Sequence, residues 1–82
     1  MNREHVVSII IKHLQQNVDG LADQKIDTSR SMLEMGATSL DVVEIVSSVM
    51  RELEVKVART QFANVKNIDQ LADMLWRVDT GG

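Results

Sequence analysis

The sequence predicts an all-α fold: a small four-helix bundle, three main helices plus one short helix, with a long loop between helices 1 and 2. Apolar residues recur at helical spacing in three separate segments. Aromatic residues are 2% of the chain, Phe62 and Trp76, so the core must be built from Ile, Leu, Val and Met, which suits packed helices. The chain has 82 residues, near the lower limit for one stable core, and no proline interrupts it. A single domain over 1–82 is expected, with 79–82 as a frayed tail.

Helix 1 is expected from about Arg3 to Asn17. Val6, Ile10 and Leu14 recur every fourth residue, with Val7 and Ile11 beside them, and Asp19-Gly20 supplies the closing turn. From Leu21 to Thr38 there is no clean period, and Asp27, Thr28, Ser29 and Ser31 mark a loop. Its apolar residues Leu21, Ile26, Met32, Leu33 and Met35 are expected to tuck inward. Structureless loops of this length are uncommon in compact domains and are often functional.

Helix 2, Ser39 to about Glu54, has the strongest pattern. Val42, Ile45, Val46, Val49 and Leu53 share one face, while Asp41, Glu44, Ser48, Arg51 and Glu52 lie largely off it. Val55-Lys56-Val57 reads as an extended connector, since no second strand is in sight. Thr60 to Asn64 is expected to form the short helical turn, with Phe62 as its plug. Asn67 is a plausible N-cap for the last helix, to about Val78, with Ile68, Leu71, Ala72 and Leu75 as its buried stripe.

Composition excludes several functions. Net charge is -3, from 12 acidic and 9 basic residues, which argues against nucleic acid, a partner that demands dense Lys and Arg. Helix 2 has one base, Arg51, against four acids, so it does not read as a DNA-recognition helix. There are no cysteines, hence no thiolate nucleophile and no Cys-based metal site; any thiol chemistry needs an attached sulfur. No apolar run is long enough to span a membrane, and the N-terminus lacks a signal-peptide pattern. A cytoplasmic location is expected. His5 and His13 are eight residues apart and do not form an i, i+4 metal pair. No Gly-x-Ser-x-Gly elbow surrounds Ser39. No catalytic residue and no metal are expected. The methionines Met32, Met35, Met50 and Met74 read as gap-fillers, and Trp76 as either a partly buried cap on the last helix or a surface contact.

The stretch Glu34 to Val46, EMGATSLDVVEIV, holds the candidate site. Thr38-x-x-Asp41 matches a capping box with Asp in place of the usual Glu. Ser39 would then occupy the first helical position, its hydroxyl exposed beside unpaired N–H groups that favour an anion. The alternatives are that Ser39 is only a polar residue at a helix end, where Ser and Thr are common, or that it is itself the cap, which would tie up its oxygen. Gly36 lets the chain turn ahead of the helix.

Gly36-Ala37-Thr38-Ser39-Leu40, followed by Asp41-Val42-Val43-Glu44, resembles the attachment site of acyl carrier proteins, where the usual pattern is Gly-x-Asp-Ser-Leu. The likeness extends over nearly the whole chain in the order of helices and loop. It implies that Ser39 carries a covalent 4'-phosphopantetheine arm on which acyl groups ride as thioesters. It also implies that Leu40, Asp41, Val43 and Glu44 face partner enzymes, and that Ile45, Val49 and Leu53 lie in the core. Val43, at the edge of the apolar stripe, reads equally well as core.

The family's Asp before the serine, implied to help the loading phosphopantetheinyl transferase hold its metal, is Thr38 here. Recognition by a generic transferase therefore does not follow from the resemblance. Met50 and Arg51 belong to the same docking face and stand where fatty-acid carriers are usually acidic, which argues against a fatty-acid synthase.

Phe62-Ala63-Asn64-Val65-Lys66-Asn67-Ile68, then Leu71-Ala72, resembles the end of free-standing donor carriers in polyketide β-branching cassettes. That narrower likeness implies an acetyl load, supplied with the help of an acyltransferase or decarboxylase and taken by a 3-hydroxy-3-methylglutaryl synthase-like enzyme. A monomeric, non-enzymatic carrier is expected. A carrier of fatty-acid or peptide synthesis, or a helical interaction module with no prosthetic group, are the alternatives. Met1 and the lack of flanking linkers favour a free-standing protein.

Overall fold

A computed structural model describes residues 2–62 and 65–79. Among the described residues there are three α-helices: α1 (Arg3–Asn17), α2 (Ser39–Leu53) and α3 (Ile68–Asp79). The expected fourth helix is a single 3-10 turn at Arg59–Phe62. Four residues hold too few backbone hydrogen bonds to make a packing helix, so among the described residues the bundle has three helices and not four. The frayed tail falls on Asp79, which ends α3, and on residues 80–82, which lie outside the described residues, as do Ala63 and Asn64 of the expected short helix.

α1 begins where Asn2 caps it, its side chain accepting from the His5 N–H at 2.8 Å. The helix packs against both α2 and α3, which approach each other less closely. The core is aliphatic. Val6, Ile9, Ile10 and Leu14 of α1 meet Ile45, Val46 and Val49 of α2 and Ile68, Leu71, Ala72 and Leu75 of α3, all buried. Ile9 belongs to this core although the four-residue spacing of Val6, Ile10 and Leu14 passes it by. Met35, Met50, Leu53, Phe62 and Met74 pack around it, half-buried.

The long loop is ordered by two means. Leu21, Met32 and Ala37 anchor it in the core. Its middle is also stitched to the start of α3. The Met32 N–H donates to the Lys66 carbonyl at 3.1 Å, the Asp69 N–H to the Thr28 carbonyl at 3.0 Å, and the Asn67 amide to the Ser29 carbonyl at 3.2 Å. Consecutive turns fill the rest. One expectation fails here: Leu33 points outward, 56% exposed. Inside the turn that runs into Gly36 only one side of the chain can face the core, and Met32 and Ala37 take it. Ile26 and Met35 are half-buried and Leu21 buried, in line with the pattern.

Ion pairs brace the bundle from outside. Arg3 Nε donates to Asp73 Oδ1 at 2.6 Å, tying α1 to α3. On the other side Glu52 of α2 accepts from Lys12 Nζ at 2.8 Å and lies 2.9 Å from His13 Nε2. The bond from Lys12, then that with His13, holds the Glu52 carboxyl below its usual range. A lowered carboxyl pKa contributes stability above the unfolded-state pKa, and that contribution is lost as pH falls through the folded-state value. Glu52→Gln is therefore expected to melt at a lower temperature than the parent at neutral pH. The two should converge in strong acid. A melting difference that persists unchanged into strong acid would contradict the assignment.

Candidate functional site

The site is built on the head of α2. Thr38 is the N-cap: its Oγ1 accepts from the Asp41 N–H at 3.1 Å, and the Thr38 N–H donates to Asp41 Oδ2 at 2.9 Å. The capping box is complete with an Asp at its third helical position. Ser39 is therefore not itself the cap. With Thr38 as cap, Ser39 is the first helical residue, exposed, and its hydroxyl makes no hydrogen bond among the described residues. The N–H groups of Ser39 and Leu40 have no partner within the helix, as at any helix head. Thr38→Ala should cost about 1 kcal/mol in urea denaturation, while Thr38→Asp, an equally good cap, should be nearly neutral.

The approach to the cap is set by Gly36, whose φ of +104° strains any side-chain-bearing residue. A Cβ there would stand 3.6 Å from Val18 Cγ1, an ordinary contact, so the backbone angle and not crowding accounts for glycine.

Around Ser39 the surface is apolar and grooved. Leu40 is 78% exposed and Val43 53%. With Leu33 these are the large exposed hydrophobic residues among those described. Val43 therefore lies outside the core. Glu44 and Arg51 are exposed as well. Asp41 is half-buried with its carboxylate engaged in the cap, and Met50 packs partly against the core, so both offer less to a partner than their neighbours do. A groove of about 440 Å³ opens beside the serine, lined by Ser31, Leu33, Ser39, Val42, Val65 and Lys66. The chain pattern did not reveal this groove, because it joins the loop, the head of α2 and the entry to α3. Trp76 is half-buried on α3. Among the described residues no helix is long and apolar enough to cross a membrane.

A phosphate fits this place. It would meet an accessible hydroxyl, two unpaired backbone N–H groups, the positive end of a 15-residue helix and no acidic group in the groove wall. The Ser39 hydroxyl is presented outward, and among the described residues no carboxylate or imidazole lines the groove beside it. The chain belongs to the phosphopantetheine attachment site family, whose model matches residues 10–75. Its cofactor is accordingly a covalent 4'-phosphopantetheine.

Two relatives are close in extent. The polyketide biosynthesis acyl-carrier-protein AcpK of Bacillus subtilis (strain 168) is 28% identical over 76 residues, 93% of each chain. A chain in the crystal structure of the curacin biosynthetic pathway HMG synthase in complex with acetyl donor-ACP is 31% identical. That match covers 94% of this chain and 99% of the other, with a TM-score of 0.86.

Proposed function

We propose that this protein is a single-domain acyl carrier of polyketide biosynthesis, that Ser39 bears its arm, and that it donates an acetyl group to a 3-hydroxy-3-methylglutaryl synthase-like β-branching enzyme. The observation that carries the attachment residue is the free, exposed hydroxyl of Ser39 directly after a completed capping box. The donor role is supported by the near-complete match to a chain of the same size in the HMG synthase and acetyl donor-ACP complex. Polyketide biosynthesis is supported by the likeness to AcpK as well.

When attached, the arm supplies a thiol that holds the acyl group as a reactive thioester. The chain's own part is mechanical. The Thr38–Asp41 box fixes the head of α2 and so the direction in which Ser39 presents its oxygen. The helix end steadies the phosphodiester's negative charge. Leu40 and Val43, with Glu44, Arg51 and the accessible parts of Asp41 and Met50, form the face that partners meet. Those partners are a phosphopantetheinyl transferase, an acyltransferase or decarboxylase that loads the arm, and the synthase-like enzyme. Tethering raises the local concentration of the acyl group at each of them. The protein itself is not an enzyme in this reading, and it works as a cytoplasmic monomer.

The test is intact mass. The protein is co-expressed with a broad phosphopantetheinyl transferase, loaded with acetyl, and mixed with a synthase-like enzyme and a β-ketoacyl acceptor carrier. Loss of the acetyl mass only when the synthase is present is the expected result. An acetyl load that the synthase never removes would overturn the donor role.

A further inference from the structure

The groove beside Ser39 has one ionic group in its wall, Lys66. The Lys66 ammonium is exposed and takes part in no ion pair among the described residues, whereas Arg3, Lys12 and Arg30 all do. Its backbone, by contrast, is fully committed. The Lys66 carbonyl accepts from the Met32 N–H at 3.1 Å, and its own N–H donates to Gln70 Oε1 at 2.8 Å. The neighbouring Asn67 pairs with Ser31 in an antiparallel bridge. Met32, 1% exposed, is a core anchor of the loop that leads into the Thr38 cap. Residue 66 is therefore held by the same stitching that places the head of α2, and only its side chain is free to move.

We infer that Lys66 is a positioning residue: its ammonium pairs with the phosphodiester on Ser39 and holds the root of the arm on the groove side of α2. The inference rests on the reading of Ser39 as the attachment residue. A phosphodiester there carries one negative charge at a helix head whose unpaired N–H groups approach it from one side. Lys66 brings a positive charge to the same groove that Ser39 lines, and no carboxylate lines it to compete. Lysine acts on phosphate as a mobile point charge, so the contact needs no fixed fork geometry. The pair is solvent-exposed, so salt weakens it. Its consequence is directional. The first atoms of the arm start beside Leu33, Val42 and Val65 and not over the outer face that holds Leu40 and Val43.

Phosphorus-31 NMR of the loaded protein tests this, after intact mass has counted the loaded fraction. At low salt the phosphodiester resonance of the parent and of Lys66→Arg should be displaced from that of Lys66→Gln. The three should converge as salt rises. A parent that gains no mass overturns the attachment reading and this inference with it. A loaded parent whose resonance coincides with that of Lys66→Gln at low salt overturns the pairing alone. Should Lys66→Gln resist loading, the salt titration of the loaded parent decides: a resonance that moves supports the pair, and one that does not move overturns it.

Discussion

Ser39→Ala is expected to yield a folded protein that never gains the mass of the arm. Both halves of that result follow from the cap. Because Thr38 and not Ser39 closes the helix head, removing the Ser39 hydroxyl deletes no hydrogen bond of the fold. An exposed substitution of this kind changes stability by no more than about 0.5 kcal/mol. Had Ser39 been the cap, the same change would cost about 1 kcal/mol, and the loss of loading could be blamed on a loosened helix. Thermal melting followed by circular dichroism, run beside intact mass after exposure to a broad phosphopantetheinyl transferase, separates the two effects. Ser31→Ala, which alters the other groove hydroxyl, should still load. A full arm mass on Ser39→Ala would show that a different oxygen carries it.

The parts of this fold that could be read from the chain are those governed by near neighbours. α1 runs Arg3–Asn17 as its apolar spacing indicates. The stripe Ile68, Leu71, Ala72 and Leu75 is wholly buried, because helical periodicity alone fixes which residues share a face. The head of α2 was legible for the same reason, since a capping box joins residues only three apart.

The parts that were not legible depend on distant partners. The order of the long loop comes from its bonds to Lys66, Asn67 and Asp69, which no local pattern announces. Leu33 looks like a core residue by hydropathy, but Met32 takes the inward position and Leu33 is left to line the groove. α2 ends at Leu53 with Glu54 in the left-handed region, φ 57°, where glycine is the usual signal. The Val55 N–H donates back to the Met50 carbonyl at 3.0 Å, so backbone bonding closes the helix without glycine. Likewise the sequence offers Ser39 as a candidate, while the groove and Lys66 beside it emerge only once the loop and α3 are placed.

Leu40→Asp combined with Val43→Asp should leave folding and loading capacity intact and cut delivery to the synthase-like enzyme by about thirtyfold or more. Both side chains are already in water, so the folded state loses little burial. Acidic residues near a helix N-terminus favour the dipole, so α2 should not weaken. A partner loses what it would have covered: two apolar side chains next to the attachment point, replaced by charges it would have to desolvate. A central apolar contact that anchors an interface carries about 2 kcal/mol, so at about 1.4 kcal/mol per factor of ten even one such anchor is worth about thirtyfold. The loading transferase is expected to meet the same face, so loading is driven to completion with excess enzyme and verified by mass before transfer is measured. kcat/KM for acetyl transfer, with the loaded carrier as variable substrate, is the readout. Glu44→Ala on the polar rim should cost less, and its effect should shrink as salt screens it. Unchanged kcat/KM in the double variant would mean that the synthase grips another surface, and the exposed apolar face of α2 would then need a different explanation.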